Sequence, residues 1–301
     1  MRRAAGRARV GCGDRYARIQ CPPRRGIAPR HRAIRSVPAM CLILLALRPD
    51  PRHDLVVAAN RDEWFRRPTA AARFWEDRPS ILAGRDLEQG GTWLGVSRSG
   101  RFAALTNYRD PPTHRAGAAS RGALVTEFLA GDADAPAYLR AVREAVEQYN
   151  GFGLLAWDGA TLGYMSSRNG DVQTLAPGFY GLSNHLLDTP WPKVREGKRR
   201  LEEVVSRPFG TGELLALLDS TAEAAEEELP QTGVGHDWER RLSPMRIVAG
   251  DYGTRSSSAV ILKRDGCLEF AERTFDAVGS PTGTVTERFT TDRRQRASAS
   301  S

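Results

Sequence analysis

Four pairs of short apolar runs, each joined by a tight turn, constrain the fold of this chain more than any other feature. The first pair is residues 41–47 and 55–60, and the spacer between them is rich in Pro and Asp. Runs of this length bounded by turn residues are typical of strands, and an Asp-Gly dipeptide favours a hairpin turn. The sequence therefore predicts antiparallel β-hairpins here and at three further places: residues 92–96 with 102–106, 152–157 with 161–165, and 258–263 with 267–275.

Helical periodicity is confined to the segments between these hairpins. Apolar residues recur every three or four positions in residues 121–129, 136–148, 194–205 and 212–218, the last leading into an acidic stretch. Because the helices are grouped instead of alternating with single strands, the pattern predicts an α+β protein with antiparallel sheets. No repeat or linker follows residue 40, so we expect one domain over residues 40–287 and a disordered tail over 288–301.

Residues 1–39 form an Arg-rich leader that is expected to be disordered. They contain 11 arginines, no lysine and one acid, and Pro and Gly interrupt every possible helix. Such a segment cannot bury enough apolar surface to offset its ordering entropy. Three interpretations remain open: translated upstream sequence with the true start at Met40, a propeptide removed before Cys41, or a targeting peptide or basic arm.

The formal charge of +8 is a property of this leader, since the rest of the chain has 33 basic and 35 acidic residues. No basic stripe interleaved with aromatic residues follows, so we predict no nucleic-acid partner. The longest apolar run near the front has seven residues, too short for a membrane span, so no integral membrane association is expected. Four scattered cysteines without a CxxC motif favour a reduced, cytoplasmic protein without a metal site.

The geometry of the first hairpin suggests a site. If its two runs pair about a centre near Pro51, position 61 or 62 lies beside Cys41. That register would bring Arg61 and Asp62 next to the thiol. Further polar groups end other apolar runs, at residues 106–109, 181–184 and 251–257, but taken singly each also suits an ordinary turn.

Several sequence blocks resemble the NRDE family, which includes the transport and Golgi organisation proteins. They are Asn-Arg-Asp-Glu at 60–63, Gly-Gly-Thr-Trp at 90–93, Thr-Asn-Tyr-Arg at 106–109, Thr-Pro-Trp-Pro-Lys-Val at 189–194 and Tyr-Gly-Thr-Arg-Ser-Ser at 252–257. The blocks keep the family order from residue 40 to 275. Members begin at the methionine that corresponds to Met40, which favours the first interpretation of the leader.

A more distant resemblance links the chain to N-terminal-nucleophile cysteine hydrolases, the bile-salt hydrolases and penicillin V acylases. It implies a four-layer αββα sandwich and a cysteine that becomes the first residue after Met removal. The positions that match the site residues of those enzymes, in the same order, are Cys41, Arg61, Asp62, Asn107, Asn184 and Arg255.

The resemblance implies hydrolysis of a non-peptide C–N bond, as in an N-acyl amide. Cys41 would be the nucleophile and its α-amine, with a reference pKa of about 8, the base. Arg61 would favour the thiolate and Asp62 would orient the amine. Asn107 or Asn184 would bind the oxyanion, and Arg255 would complete the charge network. An internal Cys41 would lack this base, and no cofactor is required.

The resemblance also implies an alternative from another functional class. The chain would then be a non-catalytic carrier of haem or of an acyl-lipid metabolite. Cys41, His114 or His185 would be the available haem ligands, although the sequence has no CxxCH motif. The sequence leaves the substrate and the oligomeric state open.

Overall fold

The computed structural model describes residues 40–292, and the leader and the end of the tail lie outside them. These residues form fourteen strands and five α-helices. The strands are β1 Met40–Leu47, β2 His53–Trp64, β3 Thr69–Phe74, β4 Ile81–Asp86, β5 Leu94–Ser97, β6 Phe102–Asn107, β7 Phe152–Trp157, β8 Leu162–Ser166, β9 Val172–Thr174, β10 Gly178–Leu182, β11 Val248–Ala249, β12 Tyr252–Lys263, β13 Cys267–Phe275 and β14 Pro281–Thr290. The helices are α1 Gly122–Ala130, α2 Ala135–Glu144, α3 Pro192–Val205, α4 Thr211–Leu217 and α5 His236–Arg241.

The strands form two sheets in which all pairs are antiparallel. The first has the order β10-β1-β2-β12-β13-β14, and β11 pairs with β12. The second runs from β3 to β9 in chain order. The four predicted hairpins are all present, as β1–β2, β5–β6, β7–β8 and β12–β13. The predicted α+β class with antiparallel sheets is therefore confirmed.

The alternation of side chains along β1 shows how the layers stack. Ile43 and Leu45 pack into the core between the two sheets. Leu42 and Leu44 point to the opposite face, where α3 and α4 cover the first sheet. Helices α1 and α2 cover the outer face of the second sheet. The order is thus helix, sheet, sheet, helix, which is the αββα sandwich that the resemblance implied.

Six strands that the sequence did not predict complete the sheets: β3, β4, β9, β10, β11 and β14. Their side chains alternate poorly or are largely exposed, as in β14 along the edge of the first sheet. Such strands exist because a neighbour supplies their hydrogen bonds. Strand β14 pairs with β13 as far as Thr290, so residues 288–290 belong to the sheet and not to a disordered tail. The acidic stretch holds only a 3-10 turn, Glu226–Glu228.

Candidate active site

Cys41 lies at the head of β1, the inner strand between the edge strand β10 and β2 of the first sheet, and it pairs with β2. The register sets Cys41 opposite Arg61 and Met40 opposite Asp62. The predicted proximity of position 61 to Cys41 is therefore confirmed. It follows from the pairing centre at Pro51, because every pair from Met40–Asp62 to Leu47–Leu55 is symmetric about that residue.

The two residues that were expected beside the thiol lie on opposite faces of the sheet. Arg61, paired with Cys41, points between the sheets, where its guanidinium stacks on Trp93 at 4.2 Å from the ring centre. Its Nη2 lies 3.7 Å from Asp86 Oδ2 and 3.9 Å from Glu63 Oε2. Asp62 points toward the helix layer. Only Arg61 thus shares a face with the thiol, although the carboxylate of Asp62 is close enough to raise the pKa of the thiol.

The thiol is protonated at neutral pH while Met40 is attached. Cys41 is 7% exposed, and its burial raises the pKa of the thiol to about 12. The carboxylate of Asp62 acts in the same direction. Arg61 and the backbone N–H of Asp62 lower this pKa, but their effect is smaller than that of desolvation. Arg61 therefore acts on the thiol pKa in the expected direction, but it does not outweigh burial in this form of the chain.

Asn184 connects three strand ends at Cys41. The Cys41 backbone N–H donates to Asn184 Oδ1 at 3.4 Å, and Asn184 Nδ2 donates to the carbonyl oxygen of Asn107 at 2.8 Å. The hydroxyl of Ser183 donates to the carbonyl oxygen of Cys41 at 3.0 Å. Asn184 is fully buried, whereas Asn107 is only partly buried. The structure thus brings Asn184 into contact with Cys41 and links Asn107 to it through Asn184.

Arg255 lies close enough to Arg61 and Glu63 for their charges to act on its pKa, but its hydrogen bonds go elsewhere. It lies in a bulge of β12, where the register shifts between Thr254 and Ser256. Its Nη1 donates to the carbonyl oxygens of Trp64, Phe65 and Arg67 at 2.9, 3.2 and 2.9 Å. These bonds hold the turn that follows β2, so we interpret Arg255 as a support of that turn.

A buried lysine was missed by the sequence reasoning. Lys193 lies in the first turn of α3, is 4% exposed, and donates from Nζ to the carbonyl oxygen of Leu242 at 3.0 Å. Burial lowers the pKa of Lys193 to about 8, and Asp62 opposes this shift. Lysine is almost never fully buried unless its charge is paired. The sequence alone does not show that Lys193 is buried. The block at 189–194 marked the position without indicating its role.

A buried ion pair also borders the site. Arg109, just after β6, pairs with Glu239 of α5, and both side chains are at most 5% exposed. Glu239 Oε1 accepts from the backbone N–H and the hydroxyl of Thr232 at 2.7 and 2.6 Å. The guanidinium of Arg109 lies over the ring of Trp191, 4.7 Å from its centre. The pair ties α5 to the strand end that carries Asn107.

A half-buried aromatic wall follows the two asparagines. The His185 ring lies 5.0 Å from that of Tyr108 and 5.9 Å from that of Trp191. Burial and the charge of Arg109 lower the pKa of His185, so its imidazole is neutral at pH 7. The wall gives the site an apolar surface beside the head of β1.

The described residues do not form an evident metal or haem centre. Within residues 40–292, no three His, Cys, Asp or Glu residues are grouped closely enough to hold a metal ion. Of the possible haem ligands, Cys41 is buried, His114 is exposed and His185 is enclosed by aromatic rings with Nδ1 2.8 Å from Thr189 Oγ1. A cysteine ligand of haem is a thiolate, whereas burial keeps the Cys41 thiol protonated, so Cys41 in this form of the chain does not fit an axial ligand. No helix in this range is long and apolar enough to cross a membrane.

These features define an α+β sandwich protein with a buried cysteine at the head of a central strand. The sequence profile of the transport and Golgi organisation 2 family matches residues 40–277. The chain belongs to this family, as the NRDE blocks indicated. It is 38% identical over 262 residues to a transport and Golgi organization protein 2 homolog of Bos taurus, covering 78% of this chain and 92% of the relative. The Drosophila melanogaster protein is 27% identical over 263 residues, with the same coverage.

Similarity to solved structures is weaker. An N-acylethanolamine-hydrolyzing acid amidase ortholog of Caenorhabditis elegans superposes with a TM-score of 0.37 at 11% identity, over 73% of this chain and 92% of the other. A mutant conjugated bile acid hydrolase from Clostridium perfringens gives 0.37 at 10% identity, over 84% and 93%. Similarity at this level supports no conclusion about a reaction.

Proposed function

We propose that this protein is an N-terminal-cysteine amidohydrolase of the cytoplasm that cleaves the C–N bond of a small N-acyl amide. The observation that carries the proposal is the environment of the Cys41 nitrogen. It lies 3.4 Å from Asn184 Oδ1, and Oδ2 of the neighbouring, fully buried Asp62 has no hydrogen-bond donor in the described structure. Two buried acceptors at one strand end suit an amino group that donates several N–H bonds.

The reaction begins with proton transfer within one residue. The α-amine of Cys41 takes the thiol proton, and the thiolate attacks the carbonyl carbon of the substrate. Since Asn184 already binds the Cys41 nitrogen and the Asn107 carbonyl, the side-chain amide of Asn107 is the donor we assign to the oxyanion. The ammonium then returns its proton to the leaving nitrogen. Water attacks the resulting thioester, which releases the acid and regenerates the thiol.

Removal of Met40 is the step that creates activity in this proposal. With Met40 attached, the Cys41 nitrogen is an amide without basicity, and the thiol has a pKa of about 12. A new α-amine would supply both a base and a cation beside the sulfur, and the latter lowers a thiol pKa. The unprocessed chain is therefore expected to be inert.

The first test is the intact mass and N-terminal sequence of the native, untagged protein. We expect a chain that starts at Cys41 and that hydrolyses at least one member of a panel of N-acyl amides. A Cys41→Ala variant should fold normally and lose all turnover. A chain that retains residues 1–39, or turnover that survives in Cys41→Ala, would refute the mechanism.

The raised pKa of the buried thiol favours one other function if Met40 is retained. In that form the chain has an inert cysteine and an aromatic wall, which suits a carrier of an acyl-lipid metabolite. Saturable binding of a fluorescent fatty-acyl probe, equal in the wild type and in Cys41→Ala, would support the carrier. Covalent acyl transfer to Cys41 would exclude it.

A further inference from the structure

Two buried groups of opposite charge lie near the head of β1 without a close ionic partner. Asp62 is fully buried, and Oδ1 accepts from the hydroxyl of Thr254 at 2.6 Å while Oδ2 has no donor. Lys193 is 4% exposed and has the carbonyl oxygen of Leu242 as an acceptor. Neither side chain has an ion-pair partner within 4.0 Å among the described residues. Such burial of a charge is costly unless an opposite charge compensates it.

Each group is the main opposite charge that acts on the other. Burial raises the pKa of Asp62 to about 6, and Lys193 is the strongest influence that lowers it. Burial lowers the pKa of Lys193 to about 8, and Asp62 is the strongest influence that raises it. Near pH 7 both groups are therefore charged, and the pair is neutral as a unit.

The fold brings both groups to the same side of the first sheet. Asp62 faces the helix layer, as does Asn60, whose Nδ2 donates to the carbonyl oxygen of Met245 at 2.7 Å. Helix α3 packs closely on this face, since an added Cβ at Gly197 would lie 2.7 Å from Leu44 of β1. Lys193 enters this layer from the first turn of α3. Asp62 lies opposite Met40, next to the nitrogen that processing would free.

We propose that Lys193 is a positioning residue for the α-amino group of Cys41, acting through Asp62. The positive charge of Lys193 keeps Asp62 ionised, so that its open oxygen can accept an N–H of the amine. The same charge opposes protonation of the amine, which therefore remains a base near neutral pH. This inference rests on the proposed function, because it requires a free amine at Cys41.

Two other charges near Cys41, those of Arg61 and Arg109, are already balanced within their own groups. Arg61 lies among the carboxylates of Glu63 and Asp86, and Arg109 next to Lys193 is paired with Glu239. Burial lowers the pKa of Arg121, which also acts on Cys41, to about 10, so Arg121 loses charge only near the upper end of the test range, and it does so equally in the wild type and in the variants. Lys193 and Asp62 are therefore the pair whose charges would change the pKa of the Cys41 amine. The charged groups that face Cys41 or this pair are Arg61, Asp62, Glu63, Arg109, Arg121, Lys193 and Glu239.

A double-mutant cycle tests the pairing itself. Lys193→Met, Asp62→Asn and the double variant are compared with the wild type by urea unfolding of the full chain. Each single variant leaves one buried charge uncompensated, whereas the double variant leaves none. We expect the double variant to be more stable than the sum of the single effects. Additive effects would show that the two groups are not coupled and would overturn the proposal.

A pH profile tests the action on the amine. Alkylation of Cys41 by iodoacetamide is followed by intact mass from pH 5 to 10, on protein whose N-terminus has been determined as Cys41. In Lys193→Met we expect the midpoint pH of the alkylation profile, which reports the pKa of the Cys41 thiol, to rise by about one unit. This is equivalent to about tenfold slower alkylation at low pH. Lys193→Arg should restore most of the wild-type profile, because it keeps the charge.

Lys198→Met is the matched control. Lys198 lies on the same helix, and its Nζ lies 2.8 Å from Asp188 at the surface. Its profile should equal that of the wild type. An unchanged midpoint in a folded Lys193→Met protein would overturn this proposal alone. If the native protein instead retained residues before Cys41, the proposed function would be refuted, and the role of Lys193 would be refuted with it.

Discussion

Replacing Glu239 by Gln should destabilise the protein strongly, because it leaves Arg109 as a buried cation without a partner. The side chains of Arg109 and Glu239 are 1% and 5% exposed, so water cannot replace the lost charge. Burial already lowers the pKa of Arg109 to about 10, and Glu239 is the main group that opposes this shift. Breaking a buried ion pair from one side typically costs about 3–5 kcal/mol. Glutamine can still accept from Thr232, so we expect a loss of about 3 kcal/mol.

The assay is urea unfolding monitored by circular dichroism. The free energies of unfolding are compared for variants whose dependence on urea concentration has the same slope. Glu203→Gln is the control, because Glu203 forms a surface pair with Arg199 in which the side chains are 60% and 54% exposed. An exposed pair of this kind contributes at most about 1 kcal/mol. If Glu239→Gln cost no more than this control, the description of a buried and uncompensated Arg109 would be wrong.

Three further predictions concern groups around the site. Burial raises the pKa of Glu272 from 4.5 to about 7, so the free energy of unfolding should fall as the pH rises between these values, because only the unfolded chain ionises there. Glu272→Gln should flatten that dependence in urea unfolding at several pH values. Gly84→Ala should displace Trp93, whose ring lies 2.5 Å from the position of the new Cβ, and cost about 1–3 kcal/mol in the same assay. Arg255→Met should loosen the turn after β2, measured as faster amide exchange there, without changing the alkylation of Cys41.

Each of these has a clear contrary outcome. A pH dependence that is unchanged in Glu272→Gln would mean that the carboxyl is ionised in the folded state. Gly212→Ala is the control for Gly84→Ala, since an added Cβ there has no atom within 4 Å, and equal effects would refute the steric argument. Slower alkylation of Cys41 in Arg255→Met would show that Arg255 belongs to the charge network around Cys41, as the resemblance implied.

Local pattern in the sequence was sufficient for the hairpins and for the partner of Cys41. The runs at the start of the domain are joined by a short turn-rich spacer, so they pair about a centre at Pro51, and that register puts Arg61 opposite Cys41. The four main helices were predicted within a few residues, because their apolar faces recur with helical spacing. Strands such as β3 and β14 carry no such pattern, because their hydrogen-bonding neighbours determine them.

The sequence by itself determined which residues could meet at the head of β1, through strand length, alternation and the family blocks. The tertiary structure decided what each of them does there. Asp62 is adjacent to Arg61 in the chain but faces another layer, because successive residues of a strand point to opposite sides. Lys193 is buried because α3 packs its first turn against the first sheet, whereas a bulge in β12 directs Arg255 to the turn after β2. The burial of a side chain and the pairing of its charge depend on contacts between segments that are distant in the chain. A local sequence pattern therefore cannot predict them.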